Sequence, residues 1–553
     1  MAEAVFENFQ KNGTLMVEAE TGIGKTFAYL IPAILTGKTA VVSTATRALQ
    51  DQLVEKDLPL LADILGKNLA FNSLKGVSNY VCKRKLFKTQ NNSGTPLHLD
   101  PAINLWLKKT TSGEKRELPK AFWQGIQEIT TTTEHRLGKQ CPHFQKCFVT
   151  KARRHAQRAT IVVVNHHLLS QDLSIKTSTG SQGLLPNADL LIIDEAHRFV
   201  DVFSSQLGFS IERDALKRSK KAFFDTLETK ENTRNIGFRF DKALASWDFF
   251  IEILERSLAD SSRHEDIKFC EPIAGETHSS WLEWDNDMDS LISELHEFQP
   301  SSHEPLTTMQ ITSELKAFRD KVCLMAELEN PQDNVYWASL DKNMSLATIE
   351  SRPLGISKHF RTHVLESDYS SILLTSATLQ TGGSFEHIQS QLGLEATDAI
   401  AIANQFDYSA NSILYIPRDL PTFDNDFYTE KLFKRIIQLL EITDGRAFVL
   451  FTSHRVLNMA SIALRNLKWP TVFQGQYSKS ECLAQFKSKN NAVLCGTGTF
   501  WEGIDIPGEK LSQVIIDRLP FQSPSEPHCA AIMEKLEKNT SILLSTINYL
   551  MPF

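Results

Sequence analysis

The stretch Glu18-Ala19-Glu20-Thr21-Gly22-Ile23-Gly24-Lys25-Thr26 constrains this chain more than any other. An apolar run, Leu15-Met16-Val17, leads into it, and Phe27-Ala28-Tyr29-Leu30-Ile31 follows with helical spacing. Strand, glycine-bearing loop and helix, in that order, are the setting of a phosphate-binding loop. Loop N–H groups and the helix N-terminus can surround a triphosphate. Gly22 and Gly24 permit backbone shapes that a side chain obstructs. Lys25 is placed to reach the β- and γ-phosphates, and the Thr26 hydroxyl to ligate Mg²⁺. Ala19 stands where the usual pattern has its first Gly. An ordinary strand-to-helix turn can carry Gly-Lys-Thr by chance, but the flanking elements argue against it.

The second anchor is Asp189-Leu190-Leu191-Ile192-Ile193-Asp194-Glu195-Ala196-His197. Four apolar residues put Asp194 at a strand tip, where its carboxylate can hold Mg²⁺ directly or through water. Glu195 is positioned to orient or deprotonate an attacking water. Together the two motifs are far more specific than either alone. Three more buried runs end in polar residues. They are Thr39 to Thr44 with Thr46 and Arg47 behind it, Ile161 to Asn165, and Ser371 to Thr378. The βαβ alternation predicts a parallel sheet with both faces covered. Ligands bind at the carboxyl ends of such strands. After Thr39 to Thr44, a plain helix N-terminus capped by Ser43 or Thr44 explains each residue alone equally well.

From about residue 76 the pattern changes. Cys82 is followed by Lys83-Arg84-Lys85, then a polar segment, then Cys141-Pro142-His143-Phe144-Gln145-Lys146-Cys147. Lys151, Arg153, Arg154, His155 and Arg158 continue as a basic helix. The three cysteines fit iron or zinc ligation. Eight cysteines in a large chain without a signal-peptide pattern fit free thiols equally well. Residues 212–345 read as mostly helical, with a basic cluster at Arg213, Lys217, Arg218, Lys220 and Lys221 and scattered tryptophans. Basic and aromatic residues together can track single-stranded nucleic acid. Solvated faces over an aromatic core explain them better.

A second α/β unit opens near residue 410, with Arg446 to His454 as strand then loop, and strands at Thr471, Ala492 and Leu511. Thr499-Phe500-Trp501-Glu502-Gly503-Ile504-Asp505 makes a loop with paired carboxylates. This unit has no phosphate loop of its own, so ATP is expected to sit between two lobes and close them. The net charge of −7 excludes a generally basic nucleic-acid coat, leaving local patches for any such contact. No apolar run is long enough to span a bilayer, which points to the cytosol.

These motifs resemble the superfamily 2 DEAH helicases of the XPD/DinG group, and in detail the bacterial DinG/YoaA branch. The resemblance rests on Glu18 to Thr26, Asp194 to His197, Thr375-Ser376-Ala377-Thr378, and Phe500 to Asp505. Lys75-Gly76, Asn79-Tyr80-Val81-Cys82, Val164-Asn165-His166 and Ile516 to Phe521 extend it over nearly the whole chain. It implies an α/β fold of two RecA-like lobes, with an iron–sulfur insertion and a helical arch in the first. The lobe-1 parts are 1–75, 159–211 and 346–405, the insertion is 76–158, the arch 212–345, and lobe 2 is 406–553. The implied function is a 5′→3′ ATP-dependent DNA helicase acting on single-stranded and forked DNA in repair or replication. It would be a monomer of the bacterial cytosol and nucleoid, working with replication or repair proteins. Lys25, Asp194, Glu195 and His197 would be catalytic, with Ala19 to Thr26, Glu502 and Asp505 around ATP. Thr46, Arg47, Arg153, Arg154, Asn165, Thr452 and Trp501 would contact DNA.

The sequence departs from the family in three places. A [4Fe–4S] cluster there uses four cysteines, of which Cys82, Cys141 and Cys147 match three. The fourth would fall near His135-Arg136-Leu137, and His135 is its candidate substitute. The Q-x-x-G-R-x-x-R motif is not found after Pro527, and Met1 lies too close to the phosphate loop for an adenine-recognition segment. The chain therefore reads as shortened at both ends. That raises a rival expectation, a truncated or inactive remnant that binds nucleotide or single-stranded DNA without unwinding.

Overall fold

The computed structural model describes residues 1–538 apart from 90–95, 124, 134–135, 180–182, 227–232, 260–265, 299–304, 342–344, 404–405, 423–424, 426, 502–503, 505, 507 and 522–523. The chain divides into two compact units, Met1–Ala403 with Pro524–Lys535, and Asn404–Ser523 with the residues from Leu536 on.

The first unit is built on a seven-stranded sheet. Its strands run, in spatial order, Asp398–Ala401, Thr14–Glu18, Ser371–Ser376, Leu190–Asp194, Ala40–Thr44, Ile161–Asn165 and Phe71–Ser73. Every neighbouring pair is parallel. The central strands are apolar on both faces because helices cover both, which explains their continuous Val, Ile and Leu runs. Burying each such side chain contributes roughly 1.5–3 kcal/mol. The register matters most for function. Glu18 lies opposite Ser376, Thr375 opposite Asp194, and Thr44 opposite Asn165. The polar strand ends therefore form one row along the carboxyl edge of the sheet.

The segment expected to be a helical arch carries long helices at Arg234–Ala259, Gly275–Glu297 and Pro305–Ala326. It also carries a four-stranded antiparallel sheet, Phe209–Glu212, Leu346–Pro353, Asn334–Leu340 and Asp266–Lys268. Two of those strands lie at or beyond the ends of 212–345. Phe209–Glu212 and Asp266–Lys268 are too short to show a period of two, so the surrounding helical period hides them. Trp247, Trp281, Trp284 and Trp337 are buried, with Trp247 and Trp284 ring centroids 5.1 Å apart. Arg213 pairs with Glu255 at 2.6 Å, Arg218 with Glu212 at 2.7 Å, and Lys220 with Asp241. The basic cluster is thus largely neutralised, and the tryptophans are core.

The helix Pro527–Lys538 packs on this antiparallel sheet through Ala531, against Val335 and Trp337. Lys268 pairs with Glu534 at 2.6 Å. These contacts place Pro524–Lys535 in the first unit, although they lie within the expected second lobe. The second unit has a four-stranded parallel sheet ordered Thr471–Phe473, Val493–Gly496, Ala447–Leu450 and Gln513–Ile516. Among the described residues no helix is long and apolar enough to cross a membrane.

His166 is fully buried just past Asn165, its Nδ1 2.8 Å from Ser43 Oγ. Burial pushes its pKa down to about 3. An unfolded chain takes up that proton below about pH 6.5, the folded one only near pH 3. The stability from His166 is therefore full above pH 6.5 and falls with acidification, by roughly 5 kcal/mol once both states are protonated. Urea titrations of wild type and His166→Gln between pH 7 and pH 4 should show the variant's stability declining less steeply; parallel slopes would contradict this.

Candidate active site

The loop after Thr14–Glu18 turns through left-handed Gly22 (φ 83°) and Gly24 (φ 85°) into the helix Lys25–Thr36. A Cβ is strained at both φ values, so the glycines are required there. Ala19 N–H donates to the Ser376 carbonyl at 2.9 Å, and the Ala19 side chain is buried. Glu20, Thr21 and Ile23 complete the loop, with Thr21 exposed. The Glu18 carboxylate accepts Leu379 N–H at 2.6 Å and Gln380 N–H at 2.5 Å, fastening the loop's entry to the turn after Ser376.

Asp194 ends the central strand, and Glu195 follows in a left-handed conformation (φ 55°, ψ 50°) ahead of the helix Ala196–Leu207. A non-glycine residue held there is strained, as often happens at functional sites. The strain aims Glu195 back across the sheet edge. Its Oε1 lies 3.2 Å from Lys25 Nζ, in a pair only 9% and 21% exposed. Ser376 Oγ donates to Glu195 Oε2 at 3.2 Å and lies 2.6 Å from His197 Nδ1. Of the four residues expected to be catalytic, Glu195 and His197 meet at Ser376, Lys25 joins them through Glu195, and Asp194 precedes Glu195 at the same strand end.

Sequence reasoning missed Tyr29. It is fully buried and donates its hydroxyl to Asp194 Oδ2 at 3.1 Å. It also shares a hydrogen bond with Thr26. Its signal was its position three residues after Thr26, on the same helix face. Burial and the Glu195 charge push the Asp194 carboxyl up to about 6, with Lys25 opposing them. A bound cation would replace that proton. Thr26 and Asp194, bridged by Tyr29, offer the hard oxygen donors that Mg²⁺ prefers, so this residue set fits the ion.

Thr46 caps the helix Arg47–Gln52 by accepting Leu49 N–H at 3.3 Å. Asn165 caps the next strand's helix through Leu168 N–H at 3.0 Å. The expected caps, Ser43 and Thr44, instead bond His166 Nδ1 and the Thr46 and Val164 carbonyls; Thr46 and Asn165 take the capping role at the carboxyl edge of the sheet. Arg47 is exposed and lies near His167 and Lys115. Arg154 is exposed, with Nη2 2.8 Å from Gln145 Oε1. Arg153 is half-buried, its charge opposed by burial and by Arg136.

Cys82, Cys141 and Cys147 line one cavity, together with Thr131 and Arg136. Thr131 Oγ1 and Arg136 Nε are buried there without a hydrogen-bond partner among the described residues. Among the described residues no group of three His, Cys, Asp or Glu side chains is tight enough for a single metal ion. Three thiols around a shared cavity suit a larger group, with two polar donors in its wall. His135 lies outside the described residues.

In the second unit, Thr452 N–H donates to Asp517 Oδ1 at 2.9 Å at the carboxyl end of the sheet. Trp501 is half-buried against the Phe448 and Phe500 cluster. Glu502 and Asp505 lie outside the described residues.

Known proteins carry the same architecture. A DEAD/DEAH box helicase profile matches residues 1–114, and a helicase C-terminal domain profile matches residues 436–550. ATP-dependent DNA helicase YoaA of Escherichia coli K12 is 32% identical over 547 residues, 97% of this chain and 83% of that protein. The chain belongs to the YoaA/DinG family. ATP-dependent helicase DinG of Mycobacterium tuberculosis H37Ra is 29% identical over 96% of this chain and 82% of its own length. The structure of S. tokodaii Xpd4 shares the fold, with a TM-score of 0.56 at 12% identity, covering 99% of this chain and 88% of that one.

Tyr29→Phe should raise the Mg²⁺ concentration for half-maximal ATP turnover about tenfold, the worth of one hydrogen bond to a charged group. An unchanged Mg²⁺ dependence would remove Tyr29 from the site.

Proposed function

We propose that this chain is an ATP-dependent DNA helicase that travels 5′→3′ on single-stranded DNA and parts forked duplexes during repair or replication in the bacterial cytosol. The observation that carries this reading is the convergence of Lys25, Asp194, Glu195, Ser376 and His197 on one sheet edge in a member of the YoaA/DinG family. The phosphate loop and Lys25 bind the β- and γ-phosphates. A triphosphate competes with Glu195 for the Lys25 ammonium, which frees Glu195 to orient and deprotonate the attacking water. Ser376 holds that carboxylate and joins it to His197. Thr26 and Asp194 would hold Mg²⁺, which would neutralise charge on the phosphates.

Thr46, Arg47 and Asn165 stand at neighbouring strand ends and would touch DNA, with Arg153, Arg154, Thr452 and Trp501 as further contacts. Charge and stacking then hold the strand. Cys82, Cys141 and Cys147 would hold an iron–sulfur cluster that pins the 76–158 insertion as a structural element. The shared cavity and its unpartnered Thr131 and Arg136 atoms support this.

Lys25→Ala should lower DNA-stimulated ATP turnover by at least about 10²-fold. Wild type should open 5′-tailed duplexes and leave 3′-tailed ones closed. Equal turnover in the variant, or a 3′-tail preference, would contradict the reading. Anaerobically purified protein should contain iron and acid-labile sulfide that Cys147→Ser loses; iron-free wild type would overturn the cluster.

A further inference from the structure

Lys75 leaves the edge strand Phe71–Ser73 and buries its ammonium between two carboxylates from different parts of the first unit. Its Nζ lies 2.7 Å from Asp51 Oδ1 and 2.7 Å from Glu114 Oε2, with only 4% of the side chain exposed. Arg116 closes the ring. It pairs with Asp51, with Glu114 at 2.7 Å and with Glu55 at 3.2 Å. Two cations and two shared carboxylates form a closed circuit, and Glu55 is attached at its rim.

The two sides of the circuit differ in kind. Asp51 belongs to Arg47–Gln52 and Glu55 to the π-helical turn Leu53–Asp57 that continues it. Gln50, on the same helix, donates to the Leu74 carbonyl at 2.9 Å and the Val163 carbonyl at 2.8 Å, so that helix is riveted to the sheet. Glu114 and Arg116 belong to the cysteine-bearing insertion. The Glu114 backbone bridges Tyr80, and Cys82 N–H donates to the Ile129 carbonyl at 2.7 Å. The Tyr80 hydroxyl accepts the Lys75 N–H at 3.2 Å.

We infer that Lys75 is a positioning residue that locks the cysteine-bearing insertion to the Arg47–Asp57 helix, so that motion of the motor sheet reaches the insertion. This rests on the helicase reading. Lys75 does not touch the nucleotide site built from Lys25, Asp194 and Glu195, so ATP turnover does not depend on it. Removing its charge leaves the half-exposed Arg116 as the one cation shared by Asp51 and Glu114, so the enclosed side of the circuit loses its counter-charge and the two elements loosen. The lock therefore governs how much duplex is opened per ATP rather than how fast ATP is consumed.

The test uses the full chain with Lys75→Met, Lys75→Arg and Arg116→Ala. Lys75→Met should keep DNA-stimulated ATP turnover within about threefold of wild type while fork unwinding falls about tenfold. Lys75→Arg should restore most of the unwinding, and Arg116→Ala, at the exposed rim, should lose less. Hydrogen exchange in peptides spanning 110–118 should quicken in Lys75→Met. Wild-type unwinding per ATP in Lys75→Met, or no rescue by Lys75→Arg, overturns the inference. If Lys75→Met does not fold, an unchanged unwinding-to-turnover ratio in Arg116→Ala overturns it. If wild type opens no duplex, the helicase reading fails. In that case unchanged exchange at 110–118 still overturns the lock, and faster exchange still supports it.

Discussion

Lys25 and Glu195 lie 170 positions apart in sequence and 3.2 Å apart in space. That ion pair depends on the register of three parallel strands. The strand before the phosphate loop and the strand ending in Asp194 do not touch one another. Ser371–Ser376 lies between them, paired to both. A one-residue slip in either pairing would turn every side chain of a strand to the opposite face. The buried Val, Ile and Leu faces forbid such a slip, so core packing sets the geometry of the charged edge. Ser376, at the end of the middle strand, is consequently the residue that reaches Glu195 and His197 together.

Much of this edge was legible in the sequence because strand tips announce themselves. An apolar run followed by Asp-Glu, or by Gly-x-Gly-Lys-Thr, fixes both the element and its polar end. The parallel sheet followed from the βαβ alternation. What the sequence concealed were contacts made across elements. Tyr29 reads as one more apolar helix residue until its hydroxyl is seen on Asp194. Lys75 stands in the sequence only as part of a family motif, with no hint that Asp51 and Glu114 close around it. The antiparallel sheet at 209–353 was hidden because Asp266–Lys268 and Phe209–Glu212 are too short to show a period of two. Val335, Tyr336 and Trp337, β-branched and aromatic in succession, were the available signal.

The charged residues of the first unit divide by burial. At Lys217, Arg218 and Lys220 the partners are exposed carboxylates, and such pairs contribute little. At Lys25 and Lys75 the ammonium groups are nearly enclosed, where losing one partner costs far more. The first of these faces the nucleotide loop and the second faces the cysteine-bearing insertion. The cysteines add a third enclosed site, where Cys82, Cys141 and Cys147 surround a common cavity. The Lys25–Glu195 edge, the Lys75 circuit and the cysteine-lined cavity thus occupy three separate places within one sheet-based unit.

The most direct test of the account is Glu195→Gln, measured for nucleotide binding and for single-turnover ATP hydrolysis in the presence of single-stranded DNA. The substitution keeps the side chain's size and removes its ability to accept a proton. The account predicts that ATP binding is retained or strengthened, because Lys25 loses its competing carboxylate, while hydrolysis falls by at least about 10²-fold. Hydrolysis within a few-fold of wild type, or loss of binding in step with turnover, would contradict it.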